Sequence, residues 1–302
     1  MTKNFSLILI LFFIIFLNPI YVNSCDRAYN PSKITVAGGS ITEILYFLEE
    51  QSKIVAVDLT SNFPEETKKF PSIGYVRNLS AEGVLSLKPT LVIGEDDMGP
   101  PNVVNQIKKT GIDIVILKEE HSSEGIIDKI KCVGEIIGER EKTIEMINNK
   151  IMPIKIELDN LSENIKNQDI KVMFILTMDS GSPIIGGKDT SADGLIEMIG
   201  ARNAFDSFEG WKPVGTESII DAAPDIILIS NRGAHSYKNL DNMHNHPTVK
   251  YTPAAINKNI IALDGMQMLG FGPRTIETAL YLSLIHISEP TRLRRISYAV
   301  FC

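Results

Sequence analysis

A chain of 302 residues with 44 % hydrophobic content has enough apolar material for two compact cores. Its 37 Asp and Glu outnumber its 30 Lys and Arg, and a net charge of −7 argues against a nucleic-acid partner, which would call for a basic face. Three cysteines supply neither a disulfide framework nor a Cys-based metal site.

The two ends of the chain read differently from the rest. Lys3 followed by the apolar run FSLILILFFIIFL, with Val22-Asn23-Ser24 before Cys25, is the pattern of a signal peptide spanning residues 1–24. The run falls short of the roughly 20 residues a membrane span needs. Cys25 directly after the cut is the one candidate for a lipid anchor. Residues 282–302 back-translate differently again. Leu282 to Arg292 matches a transposase-type sequencing adapter, Leu293-Arg294-Arg295 fits its index, and Ile296 to Cys302 matches its distal end. This tail is set aside as non-native. Without Lys3, Arg292, Arg294, Arg295 and Glu289 the charge moves from −7 to about −10.

From residue 33 the pattern alternates. KITVA reads as a strand, Gly38-Gly39-Ser40 as a tight turn, and ITEILYFLEE as a helix with apolar residues at helical spacing. KIVAVD is the next strand. A polar segment with Pro64 and Pro71 leads to Gly74-Tyr75-Val76-Arg77, read as an extended loop. Ser80 then caps a short helix and TLVIG is a strand; Pro101 opens a further helix, and IDIVIL follows as a strand. Residues 123–166 are helical and charged, broken at Gly134, Gly138 and Pro153, and the later part is expected as one long helix. Cys132, inside IIDKIKCVGEIIG, is expected as a buried free thiol. Alternation resumes at Asp169: IKVMFIL strand, TSADGLIEMIG helix, Thr216-to-Ala223 helix, DIILIS strand, NIIALD strand and a last helix from Pro273.

One element occurs twice. Aligning Glu82 with Glu217 places Pro89 opposite Pro224 and Leu91-Val92-Ile93 opposite Ile226-Ile227-Leu228. A single recurrence at this distance indicates two similar lobes rather than a solenoid. The expectation is an α/β fold of two Rossmann-like lobes with central parallel sheets, residues 25–138 and 169–281. A single long helix, 139–168, joins them, and a ligand cleft lies between them.

The blocks GGSITEILYFL, GYVRNLSAEG (74–83), GKDTSADGLIEMIG and LGFGPRT (269–275) together resemble the haemin-binding periplasmic proteins of bacterial ABC transporters. These sit within the helical-backbone binding proteins that also serve cobalamin and ferric siderophores. The resemblance covers residues 33–281. It implies a non-enzymatic, monomeric periplasmic carrier; ferric siderophore or corrinoid is the alternative cargo. By the same resemblance, Tyr75 is the axial ligand of the haem iron, and Glu82 and Glu217 dock onto the permease, whose ATPase is a separate subunit. Phenolate suits hard ferric iron, and Arg77 is placed to steady it or to meet a propionate. Met178 is read as a groove wall or soft ligand, and Trp211 and Phe271 as porphyrin-stacking residues with core packing as the alternative. Lys118, Lys188 and Arg232 are unranked propionate partners. His235, His244 and His246 lack closed-site spacing for zinc and read as a solvated loop. Glu95-Asp96-Asp97 reads as a strand-end loop at the groove mouth.

Overall fold

The structure, a computed structural model, describes residues 25–178, 182–231 and 240–284. The expected signal peptide and nearly all of the tail lie outside these residues, as do Arg232 and His235.

The first lobe carries β1 (Ile34–Ala37), α1 (Gly39–Phe47), β2 (Ile54–Val57), β3 (Gly74–Tyr75), β4 (Asn78–Leu79), α2 (Ala81–Ser86), β5 (Leu91–Glu95), α3 (Pro101–Lys108), β6 (Asp113–Leu117) and α4 (Ser123–Ile137). Its sheet runs β2-β1-β5-β6, all parallel. The four residues of β1 are all buried, as expected of a central strand covered on both faces. Helix α5 (Arg140–Met146), a π-helical segment (Ile147–Ile151) and α6 (Met152–Lys166) follow without a break. Pro153, read from the sequence as a break or kink, is absorbed here: its missing N–H falls just after the π segment, where the ladder has already widened.

The second lobe carries β7 (Lys171–Thr177), β8 (Ile184–Gly186), α7 (Ser191–Met198), β9 (Arg202–Asn203), β10 (Trp211–Pro213), α8 (Thr216–Ala222), β11 (Ile226–Ser230), α9 (Leu240–His244), α10 (Pro253–Ile256), β12 (Ile260–Leu263), α11 (Gly265–Leu269) and α12 (Pro273–Leu282). Strands β7, β11 and β12 are parallel, as the alternation predicts. β8 and β10 extend this sheet antiparallel, so it is mixed rather than wholly parallel. The physical reason is loop length: too few residues separate β7 from β8 for a parallel crossover, and a hairpin return is what remains.

The repeat seen in the sequence is a structural repeat. α2 leads to β5 and α8 to β11, and each helix ends on a left-handed residue just before its proline, Lys88 at φ 50° and Ala223 at φ 47°. One continuous core joins β1, α1 and α4 of the first lobe, Leu158 and Ile165 of the connecting helix, and Phe174, Leu195 and Ile276 of the second.

The cysteine expectation is corrected. Cys25 and Cys132 form a disulfide, with Cα atoms 4.7 Å apart. A separation of 107 residues hid the pairing; docking of residues 25–28 on α4 creates it. Ala28 N–H donates to Ile136 O at 3.0 Å and Tyr29 N–H to Asp113 Oδ2 at 3.1 Å.

Candidate ligand-binding site

The C-terminal ends of the parallel strands of the two sheets meet across one seam. Gly39, after β1, lies against Met266 of α11 and the Thr60 carbonyl, so closely that a Cβ there would come within 2.6 Å of either. Arg274 of α12 reaches Glu43 of α1 with two hydrogen bonds, Nε to Oε2 at 3.0 Å and a terminal nitrogen to Oε1 at 2.5 Å. Its guanidinium lies 3.8 Å from the ring centroid of Phe63. His121, after β6, packs its ring 4.8 Å from that of Phe271. In open α/β sheets ligands sit outside the carboxyl ends of the strands, where the strand order reverses. In the first lobe that point lies between β1 and β5.

Tyr75 stands at this edge. The sequence reading of residues 74–77 as an extended loop is replaced by a two-residue hairpin, with Tyr75 paired to Asn78 across β3 and β4. Gly74 starts it at φ 89°, a conformation glycine adopts without a Cβ penalty. Backbone bonds pin the hairpin from both sides. Leu59 N–H donates to Gly74 O at 2.9 Å, Leu79 N–H to Gly99 O at 2.8 Å, and Gly99 N–H to Val76 O at 2.9 Å. Val76 is buried beneath it, while the Tyr75 side chain remains 44 % exposed. Arg77 donates from Nε to Asp97 Oδ2 at 2.7 Å. That bond, with Tyr75 and Glu95 also nearby, holds the guanidinium above its ordinary pKa. Leu59 and Phe63, both exposed apolar side chains, come from the same β2–β3 connection.

Behind the hairpin lies a polar cluster that sequence reasoning missed. Ser40 donates to Glu95 Oε1 at 2.6 Å and accepts from Lys129 Nζ at 3.0 Å; Lys129 also pairs with Glu119. The Glu95 carboxyl is pushed up to about 8, by burial first and Glu119 next, against Lys129 and the Ser40 hydrogen bond. A Cβ on Gly38 would lie 2.5 Å from this carboxyl, which explains the glycine. Burial lowers the His121 imidazole, against the pull of Glu119. A signal for Lys129 was present: it falls on the helix face of Ile126, Ile130 and Val133, where a cation needs a partner.

The other predicted residues divide. Trp211 is half-buried on β10, edge-on to Phe174 at 6.0 Å. Phe271 is fully buried in the main core and Met178 is 2 % exposed in the core of the second lobe, so in this structure neither presents a face to a ligand. For Phe271 this is the core-packing alternative; for Met178 it replaces the groove wall or soft ligand expected from the sequence. Each sits in an apolar environment that the local sequence does not distinguish from a groove wall. Glu82 and Glu217 are both exposed, each in the first turn of its helix. Lys118 and Lys188 are exposed. Among the described residues no group of three or more His, Cys, Asp or Glu could hold a metal ion.

Two α/β lobes joined by a helical spine, with a pinned tyrosine at the facing strand ends, define a ligand-capturing protein of the two-lobed export class. The chain belongs to the periplasmic binding protein family, whose model matches residues 34–266. It is therefore a binding protein and not an enzyme. It is similar in structure to a periplasmic haem-binding protein of Roseiflexus sp. RS-1, with TM-score 0.75 and 32 % identity over 83 % of this chain and 96 % of that one. It is 28 % identical to an uncharacterised ABC transporter substrate-binding lipoprotein of Bacillus subtilis over 67 % of this chain, a match spanning 64 % of that relative, just under two thirds. It is also 22 % identical to a vitamin B12-binding protein of Pectobacterium carotovorum, over 68 % of this chain and 74 % of that one. Among the described residues no helix is long and apolar enough to cross a membrane.

Proposed function

We propose that this protein is an exported haemin carrier. It captures one haemin between its lobes, with Tyr75 as axial ligand to the ferric iron, and delivers it to an inner-membrane ABC permease driven by a separate ATPase subunit. The observation that carries the reading is Tyr75 itself: a half-exposed phenol at the tip of a hairpin pinned by three backbone hydrogen bonds, beside a fixed arginine. A phenolate is a suitable ligand for hard ferric iron, and a neighbouring cation favours the phenolate form. Exposed Leu59 and Phe63 supply apolar surface for a planar macrocycle. Trp211 remains a candidate wall from the second lobe.

The solved haem-binding relative supports this cargo, and the vitamin B12-binding relative supports the rival, a corrinoid. A corrinoid has no use for a tyrosine ligand. A ferric catecholate siderophore calls for several free guanidinium groups. Among the described residues at the seam, Arg77 is engaged by Asp97 and Arg274 by Glu43. Glu82 and Glu217, matched across the repeat and exposed on both lobes, are the proposed permease contacts. Residues 1–24 direct export to the periplasm. In this reading Cys25 serves as the disulfide partner of Cys132 rather than as a lipid-anchored cysteine.

A haemin titration of residues 25–281, followed in the Soret region beside Tyr75→Ala, tests the reading. Saturable binding with tyrosinate character in the wild type, weakened at least tenfold in the variant, is the expected result; tenfold corresponds to about 1.4 kcal/mol. A folded wild-type protein with no specific spectrum would remove haem from the claim and bring corrinoids forward.

A further inference from the structure

The reading of Tyr75 as iron ligand leaves one carboxylate at the same corner without a role. Asp97 lies in the short loop after β5, and that loop is fastened to the hairpin. Met98 N–H donates to Glu95 O at 2.9 Å, Gly99 N–H donates to Val76 O, and the Met98 side chain is buried. One oxygen of Asp97, Oδ2, accepts from Arg77 Nε. The other, Oδ1, is shut off from solvent and has no hydrogen-bond partner. Buried polar atoms are nearly always paired, and an orphan at a ligand site calls for an explanation. The arrangement has a directional consequence. A two-pronged pair would engage two guanidinium nitrogens on the carboxylate. Here only Nε is bound, at 2.7 Å, and the charge stays beside Tyr75. Arg77 is otherwise 65 % exposed and, without Asp97, would be a mobile surface side chain.

Resting on the haemin reading, we propose that Asp97 is a positioning residue: it anchors Arg77 by Nε so that the guanidinium stays beside Tyr75 and stabilises the negative charge on its iron-bound oxygen. Arg77 is then a partner of the ligand and not of a propionate. The groups facing it are Asp97 and Glu95 from β5 and its following loop, and Tyr75 from its own hairpin.

The test compares Asp97→Ala, Asp97→Glu, Arg77→Ala and the double variant Asp97→Ala/Arg77→Ala, each loaded with haemin. Two readouts are taken: the rate of haemin release to excess apo acceptor protein, and the tyrosinate-to-iron charge-transfer band. Asp97→Ala is expected to speed release roughly tenfold, the scale of one charge-assisted hydrogen bond, and to shift the band. Asp97→Glu restores both in large part, and the double variant is no worse than Arg77→Ala alone. Wild-type release and an unshifted band in Asp97→Ala, or additive losses in the double variant, overturn the role of Asp97 while leaving Tyr75 as ligand. A wild-type protein that binds haemin without a tyrosinate band overturns both. Should Asp97→Ala not fold, Asp97→Asn, of equal shape and without the charge, carries the same comparison.

Discussion

Glu95 ends β5 beneath the Tyr75 hairpin, and its carboxyl is buried among Gly38, Ser40, Lys129 and Glu119. The native protein holds its proton more tightly than the unfolded chain does, with a native value of about 8. Its contribution to stability is therefore fully present below the ordinary carboxylate range and is lost as pH rises through about 8. The thermal midpoint is expected to fall between pH 5 and pH 9, and Glu95→Gln to flatten that slope. An equal slope in the variant, measured by calorimetry across the same buffers, would assign the pH dependence to other groups. Lys129 belongs to the same cluster: it is 4 % exposed among apolar neighbours, and Glu119 and Ser40 meet its amine there.

At the scale of elements, α1 and α12 are held together by a charge pair spanning the two lobes. Glu43 is 7 % exposed, and its carboxyl is pushed up by burial and held down by Arg274. Phe63 covers the guanidinium from the other side, and Asp264 lies 3.4 Å from it. Breaking a buried pair from one side leaves the remaining charge uncompensated. Arg274→Ala is expected to lower stability by about 3–5 kcal/mol, seen as a fall in the urea midpoint. The double change Glu43→Gln with Arg274→Met, which removes both charges, is expected to cost clearly less. A double variant as unstable as the single one would show that packing around Phe63, and not the charge, is what Arg274 supplies. The hairpin of β3 and β4 is an element of another kind. Two residues per strand are too few to be stable alone, and its order comes from the three backbone bonds that tie it to Leu59 and Gly99.

Over the whole molecule, one core runs from β1 through the connecting helix to α12, and a large apolar seam restrains lobe movement. Ligand capture is thereby assigned to a largely pre-formed cleft. The disulfide adds a second restraint, since it fastens Cys25 to α4 across 107 residues. Cys132→Ser is expected to lower stability by about 2–4 kcal/mol, seen as a fall in the urea midpoint. Intact mass of the exported wild-type protein, before and after reduction and alkylation, should show two thiols only after reduction and no acyl mass on Cys25. An acylated N-terminus would return Cys25 to the role of lipid anchor.

The sequence by itself determined the local and periodic features. Buried runs such as Ile34–Ala37 and Ile226–Ser230, the Ser80 cap, the helix over 140–166 and the matched Glu82 and Glu217 all follow from spacing, capping and repetition, which need no long-range partner. The candidate ligand Tyr75 was legible too, through a block of neighbouring residues. Tertiary structure decided everything that depends on residues far apart in the chain. It joined Cys25 to Cys132 and Glu43 to Arg274, gave Lys129 its partners, and set Asp97 on Arg77. It also buried Met178, where a groove wall was expected, and put Phe271 in the core rather than at a stacking surface. An apolar side chain reads the same in a core as at a ligand surface, and a charge shows its partner only when the fold brings the two together.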